Sequence, residues 1–222
     1  VARAYVSNNL SRNSGETKLF YQGPMFRYER PQRGRYRQFE QLGAECFGIP
    51  TPDIDAEVIL LNARIFRLLG LDGDITLELN SLGNSESRES FKYDLVEYLN
   101  KYKNDLDTDS QRRLIANPLR ILDSKDPTTQ SIMLEGPKLL EYLDSESKAH
   151  FESLKTMLSE CGLDFVLSPN IVRGLDYYNK TVFEWTTKLL GAQATVSGGG
   201  RYDNLVKQLG GRDSPGIGFA VG

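Results

Sequence analysis

A chain of 222 residues is long enough to bury a real core, in one domain or two. With 39% hydrophobic and 26% charged residues it has the composition of an ordinary globular protein, and no apolar run approaches the length of a membrane span. The net charge of −3 weighs against a general polyanion coat.

The start, Val1-Ala2-Arg3-Ala4, has neither a signal-peptide pattern nor a Met, so a fragment or processed chain is expected, in the cytoplasm. Cys46 and Cys161 lie far apart and form no metal-ligand cluster; reduced, cytosolic thiols are expected. The single His, His150, sits in a helical run without a ligand pattern around it, and reads as a surface or core helix residue.

Residues 1–17 read as the tail of a helix and a polar turn. A strand, a long loop and a second strand follow. The first arm, 18–30, carries aromatic and apolar residues suited to a sheet; Pro31 and Gly34 break it; the second arm, 37–47, ends at Gly48. Charge is concentrated here: Arg27, Arg30, Arg33, Arg35 and Arg37 against Glu29 give a local net of +4. Arginine forks suit phosphate, and Tyr36 and Phe39 could stack on a base. The competing reading is a solvated basic loop.

Thr51-Pro52-Asp53 reads as a helix start, with Asp53, Asp55 and Glu57 near the positive end of the dipole. Val58, Leu61, Ile65, Leu68 and Leu69 supply an apolar face, and Gly70 a stop. Residues 74–80 alternate, as a half-buried antiparallel strand does, with Ile75, Leu77 and Leu79 on one side. Residues 85–162 read as helices with polar joints: Phe91, Leu95, Tyr98, Leu99 and Tyr102 recur at helical spacing, as do Phe151, Leu154, Leu158 and Cys161. The expected organisation is a first core part at 1–83, a helical insertion at 84–163 and a second core part at 164–222.

Strand patterns return at 165–167, 177–187 and 193–197. Val172-Arg173-Gly174-Leu175-Asp176-Tyr177-Tyr178 gathers a fixed cation, a Gly, a carboxylate and two phenols. Neighbours in a strand point to opposite faces, so Tyr177 and Tyr178 share a pocket only where the strand bulges or ends. Gly198-Gly199-Gly200 permits close approach of a ligand or makes a turn; no Gly-Lys-Ser/Thr follows, so it is no phosphate-binding loop. A short helix is expected over 201–209.

Phe26-Arg27-x-Glu29-Arg30 with Gly34-Arg35-Tyr36-Arg37-Gln38-Phe39-x-Gln41-x-Gly43-x-Glu45 resembles motif 2 of the class II aminoacyl-tRNA synthetases, in the form found in the histidyl-tRNA synthetase family. Arg173-Gly174-Leu175-Asp176-Tyr177-Tyr178 and Gly198-Gly199-Gly200-Arg201-Tyr202-Asp203 resemble that family's two histidine-specific motifs. Gly216-x-Gly218-Phe219-Ala220-x-Gly222 resembles the opening of motif 3. Order and spacing agree along essentially the whole chain.

The resemblance implies an α+β fold, an antiparallel sheet flanked by helices with an inserted helical domain. It implies activation of L-histidine with ATP, carrying Mg2+, to histidyl-adenylate, and transfer to tRNA(His). No protein-bound metal and no membrane are expected, and the full-length parent is expected to be a homodimer. Carried over residue by residue, Arg27 and Arg173 are the catalytic cations, and Arg27, Glu29, Arg35 and Phe39 seat ATP. Gln41, Glu45, Arg173, Tyr177, Tyr178 and Tyr202 hold histidine, Glu45 by its α-ammonium. A catalytic His or Cys is not needed, because carboxylate attack on an α-phosphate asks for positioning and cationic stabilisation. The family's motif 1 segment, the ATP-binding Arg of motif 3 and the anticodon-binding domain fall outside these 222 residues, so the chain reads as the central catalytic part of a synthetase. Two other readings stand: a non-catalytic regulatory subunit or histidine sensor on the same fold, and a nucleic-acid module using the Arg hairpin alone.

Overall fold

The aromatic and apolar arms of residues 17–47 fold into an antiparallel hairpin of two ten-residue strands, β1 (Thr17–Phe26) and β2 (Gln38–Phe47), with Thr17 opposite Phe47 and Phe26 opposite Gln38. The computed structural model describes residues 1–12, 15–31, 35–171, 177–189 and 195–222. β1 stops four residues short of the expected arm, although Arg27 N–H still reaches the Arg37 carbonyl at 2.8 Å. Five more strands join this hairpin: β3 (Ile75–Ser81), β4 (Val166–Leu167), β5 (Asn179–Thr187), β6 (Thr195–Arg201) and β7 (Gly216–Val221). The order is β1-β2-β7-β6-β5-β3-β4, antiparallel throughout except for the β3–β4 pair.

One face of the sheet is covered by α2 (Pro52–Leu68) and α6 (Ser145–Glu160). Ile54, Val58, Ile59 and Phe66 of α2, with Phe151, Leu154 and Leu158 of α6, pack on Leu77, Leu79, Phe183, Trp185, Ile217 and Phe219. Trp185 meets Phe66 edge-on, ring centroids 5.4 Å apart. The expected apolar face of α2 is misplaced by about a quarter turn. Leu61, Leu68 and Leu69 are exposed, whereas Asp55 and Asn62 lie fully buried at the centre of the packed stripe. Hydrophobic periodicity missed the true face because two polar residues hold its middle. Cys161, expected on the apolar face of α6, caps that helix and is exposed.

The other face carries a second core. It joins Tyr5 of α1 (Ala2–Ser7), Phe47, Phe91, Leu95 and Leu99 of α3 (Ser85–Asn100), Tyr178, Val182, Tyr202 and Val206. Between β3 and β4 the chain is helical, with α4 (Thr108–Ala116) and α5 (Pro127–Leu134) between α3 and α6. Each of these four helices starts on an Asx residue, Asn84, Asp107, Asp126 or Asp144, whose side chain accepts a backbone N–H of the first turn.

The glycine triplet is not a turn. Gly198, Gly199 and Gly200 lie in β6, opposite Ala220, Phe219 and Gly218 of β7. A Cβ at Gly199 would strike the Gly218 carbonyl and the Phe183 ring, so the strand needs glycine to pack. The helix expected over 201–209 shrinks to α7 (Leu205–Gln208), because Arg201 ends β6 and Tyr202 N–H bonds the Gly216 carbonyl at 2.7 Å.

Candidate functional site

Alternation along β2 sorts its side chains. Ala44 and Cys46 turn toward the α2 layer, so Phe39, Gln41, Gly43 and Glu45 share the opposite face. At about 3.4 Å per residue this row spans about 20 Å. Glu45 pairs in register with Gly218 of β7, where any Cβ would overlap the Glu45 carboxylate. Glycine thus opens the space the carboxylate occupies.

A group of phenols adjoins that carboxylate through Tyr202. Tyr202, 5% exposed, donates its hydroxyl to Glu45 Oε2. Tyr177 and Tyr178 precede β5, and the strand is irregular as it starts: Lys180 has φ +48 and the register shifts between Asn179 and Val182. The alternation that would send the two rings to opposite faces therefore does not apply. Their centroids lie 4.5 Å apart, and they stand 5.9 and 6.4 Å from the Tyr202 ring. Gln41 donates from Nε2 to the Tyr21 hydroxyl at 2.6 Å.

Burial pushes the Glu45 carboxyl up to about 7, against the opposing pull of the Tyr202 hydrogen bond. Burial, then the Glu45 charge, holds the Tyr202 hydroxyl far above the usual phenol range. Burial also raises Tyr21, with the Gln41 bond opposing and the Glu45 charge adding to the rise. A carboxylate that loses its charge near neutrality for want of solvent is one that a cation would complete. An ammonium group placed there would restore the charged form.

The hairpin end of the same strand is cationic. Arg27 donates from Nε to the Tyr36 carbonyl at 2.7 Å, and its guanidinium lies 4.2 Å from the Phe39 ring centroid. Arg35 is ion-paired with Glu29, and Arg37 donates from Nε to the Glu29 carbonyl at 3.1 Å. Tyr28 and Tyr36 are exposed. Two clusters result: Glu45 with Tyr202 and the Tyr177 and Tyr178 rings packed on it, Gln41 standing further along the same strand face against Tyr21, and Arg27, Glu29, Arg35 and Phe39 on the hairpin. Arg173, with Gly174, Leu175 and Asp176, and the Gly34 turn lie outside the described residues.

One group escaped the sequence reading. Arg201, fully buried, is ion-paired with Asp55 of α2, and His150 of α6 bonds the same carboxylate from Nε2 at 2.8 Å. The sequence marks Asp55 as a helix-dipole residue and Arg201 as the start of a short helix within the Gly198–Asp203 motif. The available signal was an acidic residue amid the apolar positions of α2.

A family profile described as "tRNA synthetase class II core domain (G, H, P, S and T)" matches residues 7–214. The fold is similar to apo histidyl-tRNA synthetase of Staphylococcus aureus at 36% identity and TM-score 0.75, covering 99% of this chain and 52% of that one. It is also similar to a Bacillus halodurans protein described as an ATP phosphoribosyltransferase regulatory subunit/histidyl-tRNA synthetase. That match has 24% identity and TM-score 0.65, over 99% of this chain and 60% of that one. A third similarity is to histidyl-tRNA synthetase of Nostoc sp., at 21% identity and TM-score 0.64, over 100% and 56%. At those last two identities the likeness is one of fold. The chain spans between 52% and 60% of the length of these solved proteins.

Proposed function

The chain belongs to the class II tRNA synthetase core family, and from that premise we propose that it is the histidine-activating region of a histidine–tRNA ligase. In this reading L-histidine and MgATP give histidyl-adenylate and pyrophosphate, and the histidyl group then passes to tRNA(His). The observation that carries it is the Glu45 carboxylate, desolvated and bonded to Tyr202, whose ring packs against Tyr177 and Tyr178 on one face of the sheet.

Glu45 takes the α-ammonium of histidine, whose charge restores the ionised carboxylate. Gln41, Tyr177, Tyr178 and Tyr202 supply the donors and acceptors an imidazole needs. A side chain lacking ring nitrogens would leave those groups unpaired, which gives strong selection. The histidine carboxylate oxygen attacks the α-phosphorus of ATP, a P–O bond to pyrophosphate breaks, and negative charge grows on the phosphoryl oxygens. Arg27 and Arg173 meet that charge without changing protonation. Glu29 and Arg35 would exchange their mutual ion pair for contacts with ATP, and adenine would take the Phe39 face that the Arg27 guanidinium covers. The row from Phe39 to Glu45 suits an amino acid joined end to end with a nucleotide.

Residues 84–163 are read as an insertion between the two core parts, 1–83 and 164–222, available to the tRNA, and the full-length parent as a cytoplasmic homodimer. The deciding experiment is ATP–pyrophosphate exchange by the full-length parent. Histidine-dependent exchange is expected. Histidine binding without exchange would assign the regulatory or sensor role, and exchange driven equally by other amino acids would sink the reading.

A further inference from the structure

The Glu45–Tyr202 contact depends on how Tyr202 is held, and Tyr202 is clamped from both sides. Arg201, immediately before it, points to the opposite face of the sheet and has all five of its N–H groups engaged. Nε donates to Asp55 at 3.1 Å; one terminal nitrogen donates to the Ile49 carbonyl at 3.1 Å and to Asp203 Oδ1 at 3.0 Å. The other donates to the Thr51 carbonyl at 3.1 Å and to Asp55 Oδ1. Asp203, immediately after Tyr202, exchanges two bonds with Asn179: its N–H to Oδ1 at 2.8 Å, and Nδ2 to its Oδ2 at 2.9 Å. Asn179 directly follows Tyr178. One buried network therefore fixes the backbone that bears both Tyr202 and Tyr178.

The far end of this network is His150 of α6. Its Nε2 meets Asp55 Oδ2 at 2.8 Å, the oxygen that Arg201 Nε reaches only at 3.3 Å. Asp55 is fully buried and held ionised, its burial outweighed by the His150 bond and the Arg201 charge. A desolvated carboxylate that loses a donor must draw another to itself, and Arg201 is the group within reach.

We infer that His150 is a positioning residue for the candidate site: by holding Asp55 it sets Arg201, and through Arg201 the hydroxyl that Tyr202 gives to Glu45. The inference rests on the reading of Glu45 as the ammonium partner. It makes α6, the helix that precedes β4 in the chain, part of the machinery that shapes the pocket from the other side of the sheet.

The test follows the Glu45 carboxyl by 13C NMR in a pH titration without ligand. The titratable groups acting on Glu45 are Tyr202, Tyr21 and the amino terminus of the chain. His150→Leu removes the donor, so Tyr202 shifts and the Glu45 midpoint rises by about one unit, a tenfold change in its acid constant. His150→Gln, whose Nε2 can stand where the imidazole Nε2 stood, restores the wild-type midpoint. If His150→Leu fails to fold, His150→Asn, polar but too short to reach Asp55, is read in its place. A lowered melting temperature with an unmoved Glu45 midpoint would reduce His150 to a stability role and overturn the inference. A midpoint raised equally in His150→Gln would assign the effect to packing and overturn it as well. No histidine or ATP enters the titration, so failure of the synthetase reading in the exchange assay leaves this result standing, and the reverse.

Discussion

Glu45→Gln separates what Glu45 costs the fold from what it gives the site. The folded carboxyl holds its proton up to about pH 7, against 4.5 when unhindered. Between those values the unfolded chain is ionised and the folded chain is not, so folded stability falls as pH rises through that window. The shift of about 2.5 units, at about 1.4 kcal/mol each, sets an upper bound of about 3 kcal/mol on the penalty present above pH 7. Glutamine keeps an oxygen to accept the Tyr202 hydroxyl and never ionises. In urea denaturation at about pH 4 the variant should match wild type to within a few tenths of a kcal/mol; at about pH 8 it should be the more stable, by up to about 3 kcal/mol. Histidine binding should move the other way. An ammonium partner pulls the Glu45 pKa down, so calorimetry of wild type below pH 7 should show about one proton released per histidine bound, and Glu45→Gln should bind histidine far more weakly at every pH. A variant equally stabilised at both pH values, or wild-type binding with no proton release, would show that Glu45 is not a desolvated carboxylate waiting for a cation.

Three further outcomes are expected. Gly218→Ala puts a methyl group into the space of the Glu45 carboxylate, so histidine affinity should fall at least tenfold, an effect read by calorimetry; unchanged affinity would mean that the strand accommodates the methyl. Arg201→Met leaves Asp55 buried without its cation, a change that costs about 3–5 kcal/mol; a loss below about 1 kcal/mol in urea melts would contradict the buried pair. In the full-length parent, Arg173→Ala should slow adenylate formation by roughly 100-fold with little change in histidine affinity. A normal rate constant beside a lowered melting temperature would take Arg173 out of the active site.

The hairpin was legible from the aromatic and apolar residues of its arms and the Pro31 and Gly34 break between them, and the strand at 75–81 from its alternation. The Glu45 row was legible for another reason, as a motif whose spacing of two keeps Gln41, Gly43 and Glu45 on one face. What escaped was polar and buried. Asp55 and Asn62 occupy the middle of the packed face of α2, where periodicity asks for apolar residues, and their partners Arg201 and Ser197 lie some 140 residues away. No local pattern announces such a pair. Gly198–Gly200 misled in the same way: local chemistry suggests a turn, whereas tertiary crowding from Phe183 and Gly218 keeps them in a central strand.

The contact between Trp185 and Phe66 gives the molecule an internal optical label. Trp185 is the one tryptophan among the 222 residues, and it lies in the core under α2 and α6. Tyr177, Tyr178 and Tyr202 belong to the core on the opposite face of the sheet. Indole emission therefore reports the packing of one layer, and the tyrosine bands of near-ultraviolet dichroism are weighted toward the other. A denaturation followed in both signals asks whether the two sides of the sheet come apart together or in turn.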